Sequence, residues 1–176
     1  VAMAQRAAWA LAGRDVVAVV SSPLERAIET ATPVAAEFGL GIRIDERLIE
    51  AANIFQGLTF GVGDGSMRRP SHWRHLVNPF RPSWGEPYRE LADRVLAAVA
   101  AVRDEVRGHE AVCVSHQLPI WTARLAVERR RLWHDPRRRD CALGSLTSFE
   151  FEGDDIVGVR YTRPSGEAGA GQVPGA

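Results

Sequence analysis

Residues 16–20, Val-Val-Ala-Val-Val, form an apolar, β-branched run that stops at Ser21-Ser22 and passes directly into a helical pattern. Such a run fits a strand buried on both faces, which requires a sheet covered by helices on each side. The turn after it has its own chemistry. Ser22 can be the N-cap, Pro23 the first helical residue and Glu25 the partner three residues on, so Ser22-x-x-Glu25 reads as a capping box. Arg26 comes next, in the second turn. Unpaired N–H groups, the positive end of a helix dipole and a guanidinium would then meet at the carboxyl edge of a strand, where an anion can bind. The same residues also describe a well-capped helix with a surface arginine.

The pattern recurs along the chain. Residues 2–12 read as a helix closed by Gly13, residues 23–38 as a helix ended by Gly39, and residues 41–44 as a short strand. Residues 53–69 are glycine-rich and loop-like, with short helical turns expected near 71–76, and Pro79, Pro82 and Pro87 punctuate the next stretch. Residues 86–107 give the longest helix, with Leu91, Val95, Leu96, Val99 and Val102 on one face. Residues 111–115 are a second buried strand and 118–128 a helix. A basic run over 129–139 comes next, and 146–151 with 156–161 read as a hairpin around Gly153-Asp154-Asp155. Alternating strands and helices predict an α/β fold of three layers, α/β/α, with a mostly parallel sheet and the hairpin as its antiparallel edge. We expect a single domain over residues 1–163 and a disordered Gly, Ala and Pro-rich tail over 164–176.

Composition excludes several classes. Formal net charge is zero, which gives no overall field toward nucleic acid or an anionic membrane. Every one of the 22 basic residues is arginine, so lysine Schiff-base chemistry is excluded. Cys113 and Cys141 have neither metal-type spacing nor a disulfide framework, and Cys113 reads as a small core residue. No signal peptide and no apolar bilayer-length segment is present, and the default location is cytoplasmic.

Two further residues stand out. His116 ends the strand over 111–115 at the turn into a helix, a position equivalent to that of Arg26, so the two can share one crevice outside the strand ends. The alternative is a structural histidine. Glu50 comes after the short strand and precedes a glycine-containing loop. It is either a solvated carboxylate or an acid whose pKa is raised for proton transfer.

Taken in order, Ser21-Ser-Pro-Leu-Glu-Arg26-Ala-Ile-Glu-Thr-Ala, Arg47-Leu-Ile-Glu50 and Val112-Cys-Val-Ser-His116 resemble the histidine phosphatase superfamily, also called phosphoglycerate mutase-like. Gly85-Glu86-Pro87-Tyr88 is similar to the Gly-Glu-Ser segment that often precedes the family's long helix. The resemblance implies hydrolysis or transfer of phosphoryl groups through a phosphohistidine. Arg26 would match the second phosphate-clamping arginine, His116 the second histidine and Glu50 the acid that protonates the leaving oxygen. It implies a small phosphorylated substrate, and neither metal nor cofactor where cationic side chains stabilise the phosphoryl group.

Two departures bear on this. Gln117 stands where the family usually has Gly, and no Arg-His-Gly occurs among His72, His75, His109, His116 and His134. That motif carries the nucleophile at the end of the family's first central strand, whereas this chain opens inside a helical pattern. The expectation is therefore a chain without that strand, and two accounts compete. One is an incomplete version of a longer phosphatase; the other is a catalytically inactive phospho-ligand-binding or interaction protein. The mutase branch's Arg-His-Tyr-Gly stretch is absent, which favours a phosphatase over a phosphoglycerate mutase. Residues 66–75 fall where the family covers its pocket, making Arg68, Arg69, Arg74 and His75 candidates for substrate specificity; otherwise they are a solvated basic loop. The arginine clusters at 129–131 and 137–139 accompany no recognition motif, so no nucleic-acid partner is expected.

Overall fold

In a computed structural model that describes residues 2–51 and 86–164, the Val-rich run is strand β1 (Val16–Ser21), the centre of a three-stranded parallel sheet. On one side it pairs with β2 (Ile42–Ile44) and on the other with β3 (Glu110–Val114), with Val20 opposite both Arg43 and Cys113. Alternate residues of β1 feed two cores, as a pleat with period two requires. Val19 packs with helices α1 (Ala2–Leu11) and α2 (Glu25–Phe38), against Ala8, Leu11, Ala31 and Val34. Val20 packs on the opposite face with α3 (Tyr88–Glu105) and α4 (Gln117–Val127), against Leu91, Val95, Ala98 and Ala123. Helices therefore cover both faces, and the expected three layers are present.

Three expectations need correction. Helix α2 begins at Glu25 and not at Pro23. Its N-cap is Leu24 in extended conformation, with no side-chain cap, because the Ser22 hydroxyl is turned toward His116 and only weakly reaches the Leu24 N–H at 3.4 Å. The capping box is thus not formed. Helix α3 begins at Tyr88 and not at 86, because Pro87 takes the N-cap and leaves Glu86 outside the helix. Strands β4 (Leu146–Glu152) and β5 (Asp155–Thr162) pair antiparallel as expected, yet they form a sheet of their own and not an edge of the parallel sheet. The other boundaries fall within two residues of expectation. Gly39 ends α2 at φ 64°, a left-handed conformation that releases the chain toward β2.

Among the described residues, β3 has a ladder partner only in β1, and β4 only in β5. Both strands line one cleft of about 700 Å³, walled by Val95, Val99 and Val102 of α3 and by Phe149 of β4. The cleft lies between the two backbones, and among the described residues no ladder joins the hairpin to the parallel sheet. No helix among the described residues is long and apolar enough to cross a membrane. The expected loop over 53–69, the turns near 71–76 and residues 165–176 of the tail lie outside the described residues.

Candidate functional site

The carboxyl ends of β1 and β3 lie side by side, with Ser21 opposite Val114 and the Ser22 N–H donating to the Val114 carbonyl at 2.9 Å. The two strand-to-helix turns must then meet, and Arg26 and His116 do. Arg26 Nε donates to His116 Nδ1 at 3.2 Å, while His116 Nε2 lies 2.8 Å from the Ser22 hydroxyl. Because Nδ1 accepts a bond, the ring's single proton is assigned to Nε2, which donates to Ser22. His116 is buried at 7% exposure. Burial, with the nearby charges of Arg26 and Arg94, pushes its pKa down to about 4, so the ring is neutral at pH 7. The terminal nitrogens of Arg26 bond to no group among the described residues. This exposed residue thus offers a two-pronged donor edge beside a neutral imidazole.

Glu50 reaches the site along a different route. Asp45 accepts the Arg47 N–H and closes the short 3-10 turn Glu46–Leu48, whose Leu48 is fully buried beneath it. Arg94 of α3 then holds the segment from below. Its Nη1 donates to the carbonyls of Arg47 at 2.6 Å and Ile49 at 2.9 Å, and its Nη2 donates more loosely to that of Glu50 at 3.4 Å. Glu86 accepts from the Nε–Nη2 edge of the same guanidinium with both carboxylate oxygens, at 2.7 and 2.8 Å. Glu50 accepts the Ala51 N–H at 3.0 Å. Burial raises its pKa above the usual carboxylate range, against the opposing pull of that N–H, Arg26, Arg139 and Arg94. A carboxyl whose protonated form is favoured by burial is suited to donate a proton to a departing oxygen.

Sequence reasoning placed Arg26, His116 and Glu50 in one region, and the structure gathers them around the ends of β1 and β3. Arg26 and His116 are in direct contact, and Glu50 feels the charge of Arg26 without bonding to it. Arg68, Arg69, Arg74 and His75 lie outside the described residues. Three contributors went unassigned in the sequence. Ser22 read as a cap and Glu86 only as part of a family-like segment, and Arg94 lay unremarked within the longest expected helix. The usable signal was Glu86 just ahead of Pro87, which puts a carboxylate beside the first turns of α3. The 700 Å³ cleft adjoins this site through Leu48 and Ser115 but does not contain Arg26, Glu50 or His116. Among the described residues no three His, Cys, Asp or Glu side chains are grouped to hold a metal ion. Cationic and neutral donors around a poised carboxyl suit the charge of a transferring phosphoryl group.

Comparison with known proteins shows the family of the chain. A family model described as the histidine phosphatase superfamily (branch 1) matches residues 1–163. The uncharacterized protein Rv0525 of Mycobacterium tuberculosis is 56% identical over 164 residues, covering 93% of this chain and 81% of that protein. Among solved structures, Bacillus stearothermophilus YhfR is 26% identical with a TM-score of 0.66, over 88% of this chain and 77% of that one. The mycobacterial glucosyl-3-phosphoglycerate phosphatase Rv2419c, in complex with inorganic phosphate, is 27% identical with a TM-score of 0.56, over 74% and 68%.

Proposed function

We propose a phosphatase function for this chain, which belongs to the histidine phosphatase superfamily: hydrolysis of a small phosphomonoester through a phosphohistidine. The observation that carries the reading is the Arg26–His116 junction, a guanidinium whose terminal nitrogens bond to nothing among the described residues, against a buried neutral histidine and next to a carboxyl of raised pKa. A neighbour that holds inorganic phosphate supports it.

In this reading Arg26 and His116 hold the phosphoryl oxygens, and the domain spans residues 1–163. A nucleophilic histidine attacks phosphorus as the P–O ester bond breaks, and Glu50 gives its proton to the departing oxygen. Glu50, now a carboxylate, takes a proton from the water that hydrolyses the phosphohistidine and so returns to its starting state. The nucleophile comes from a segment carrying Arg-His-Gly, which this sequence does not contain. Among the described residues the edges of β3 and β4 beside Ser115 carry no ladder partner, which supports room for a further strand at that place.

Two measurements test the reading. Titration calorimetry of the chain with inorganic phosphate should show binding that weakens about tenfold or more in Arg26→Met and in His116→Gln. For a form that includes an Arg-His-Gly segment, turnover of p-nitrophenyl phosphate should fall about 10²-fold or more in His116→Ala. Undiminished turnover in that variant would refute the site. Phosphate binding without turnover in any form would favour a phospho-ligand-binding protein.

A further inference from the structure

His116 is held at its tip and at its root. At the tip, its two ring nitrogens meet Arg26 and Ser22, both in the chain that follows β1. At the root, its backbone is extended, with φ −113° and ψ 166°, and it caps α4 without spending its side chain on any N–H of that helix. The ring therefore takes no fixed direction from its own helix. The residues on either side of it supply one. Ser115 donates its hydroxyl to the Leu48 carbonyl at 2.7 Å, and Gln117 donates Nε2 to the Cys141 carbonyl at 2.6 Å. The first bond ties the chain just past β3 to the turn that precedes Glu50. The second ties the start of α4 to the loop that precedes β4.

A tie orients a residue only if its other end is fixed, and the Cys141 end is. Cys141 is buried at 4% exposure beside Trp121 and Leu125 of α4. Arg124 of the same helix donates Nη1 to the Asp140 carbonyl at 3.3 Å. The Tyr161 hydroxyl of β5 accepts the Ala142 N–H at 3.0 Å, and Arg163, just past that strand, pairs with the Asp140 carboxylate. Residues 140–142 have no regular structure, yet side chains of α4 and of the hairpin fasten them. Gln117 is itself exposed, where an amide ordinarily serves water, and it is spent on this carbonyl instead. Glycine at this position, as the family usually has, could not make the bond.

We propose that Gln117 is a positioning residue: its bond to the Cys141 carbonyl fixes the backbone of His116, so that the ring points into the Arg26–Ser22 junction and meets phosphate in a single orientation. The inference rests on the phosphate-binding reading above and extends it to what holds His116 in place. Arg26 and His116 must address the same phosphoryl group, and a small rotation at the root of the ring spoils that shared geometry.

Nuclear magnetic resonance of the full chain, with its histidines labelled with nitrogen-15, reports the ring at pH 7, the His116 signals being those lost in His116→Gln. In the wild type the two ring nitrogens should resonate far apart, as for one tautomer with its proton on Nε2. Gln117→Met keeps the length of the side chain and loses the donor. In it the separation should narrow, and inorganic phosphate, followed by titration calorimetry, should bind roughly threefold to tenfold more weakly, the net effect of one hydrogen bond. Gln117→Asn, whose amide falls one methylene short of the carbonyl, should behave in the same way. A merely structural bond would lower the melting temperature and leave the His116 resonances in place. That result overturns the proposal, as does a phosphate affinity equal to that of the wild type. If Gln117→Met does not fold, the same two readings on Gln117→Asn decide. Absence of phosphate binding in the wild type overturns the phosphate site, and the His116 resonances alone then decide the role of Gln117.

Discussion

His116 is a base whose folded environment opposes its protonation. A second ring proton on Nδ1 would displace the bond from Arg26 and place a buried positive charge beside that guanidinium. Its pKa drops from 6.5 to about 4. The unfolded chain then binds more protons than the folded one between those values, so stability rises with pH across that window and is lost on acidification, by on the order of 3 kcal/mol for this group alone. His134, lowered by its burial, acts with the same sign. Glu50, whose pKa is raised, acts oppositely: its contribution is present when it is protonated and fades as pH rises through its folded value. Urea midpoints measured from pH 7 to pH 4 should therefore fall, and His116→Gln should flatten the fall; an equal slope in that variant would contradict this assignment. Arg26, His116 and Glu50 were legible in the sequence because each lies just past a strand, and strand ends converge in a parallel sheet. The charge of Arg139 on Glu50 was not, because the position of Arg139 depends on the path of a loop that no periodicity encodes.

Elements explain why Glu50 is held where it is. The 3-10 turn after β2 is too short to satisfy the carbonyls at its end, and a side chain of α3 does so in its place. Arg94 takes three neighbouring carbonyls, of Arg47, Ile49 and Glu50, and Glu86 fixes the guanidinium along its Nε–Nη2 edge. Arg94→Met should lower unfolding free energy by about 1–3 kcal/mol, since it leaves Glu86 and those carbonyls without their donor. Glu86→Gln, which keeps a hydrogen-bond acceptor, should cost less. In a form that turns over p-nitrophenyl phosphate, Arg94→Met should lower kcat more than it raises KM, because it displaces the acid and not the phosphate donors. A change confined to KM would assign Arg94 to substrate binding. The sequence located this helix by its apolar spacing but started it two residues early, at Glu86. The same error of two residues gave Ser22 to the start of α2. In both cases a polar residue that suits a helix end is withdrawn from it by a tertiary partner: Arg94 for Glu86 and His116 for Ser22.

At the scale of the whole molecule, the hairpin is joined to the rest by different forces from those that hold the sheet. Strands β1, β2 and β3 share ladders and two apolar cores. The hairpin shares no ladder with them, and much of its attachment is ionic and exposed. Arg103 and Arg107 both meet Asp154 in its turn, and Arg163, just past β5, meets Asp140. Phe149 packs against the second core, and Phe151 lies under the Arg103 guanidinium at 5.3 Å. Exposed pairs of this kind contribute about 0–1 kcal/mol each and weaken as the screening length shrinks from roughly 10 Å at 0.1 M salt to 3 Å at 1 M. The hairpin should then open separately from the sheet. Hydrogen exchange of amides in β4 and β5 should speed up about fivefold between 0.1 and 1 M sodium chloride, while Val19 and Val20 in β1 keep their rates. If a further strand fills the cleft between β3 and β4, as the proposed catalytic form requires, both open edges gain ladder partners and the two sheets become one. Exchange in β4 should then slow toward that of β1 and lose its dependence on salt. Equal protection of hairpin and sheet at both salt concentrations, in the chain of 176 residues, would show that the cleft does not divide the molecule into two units.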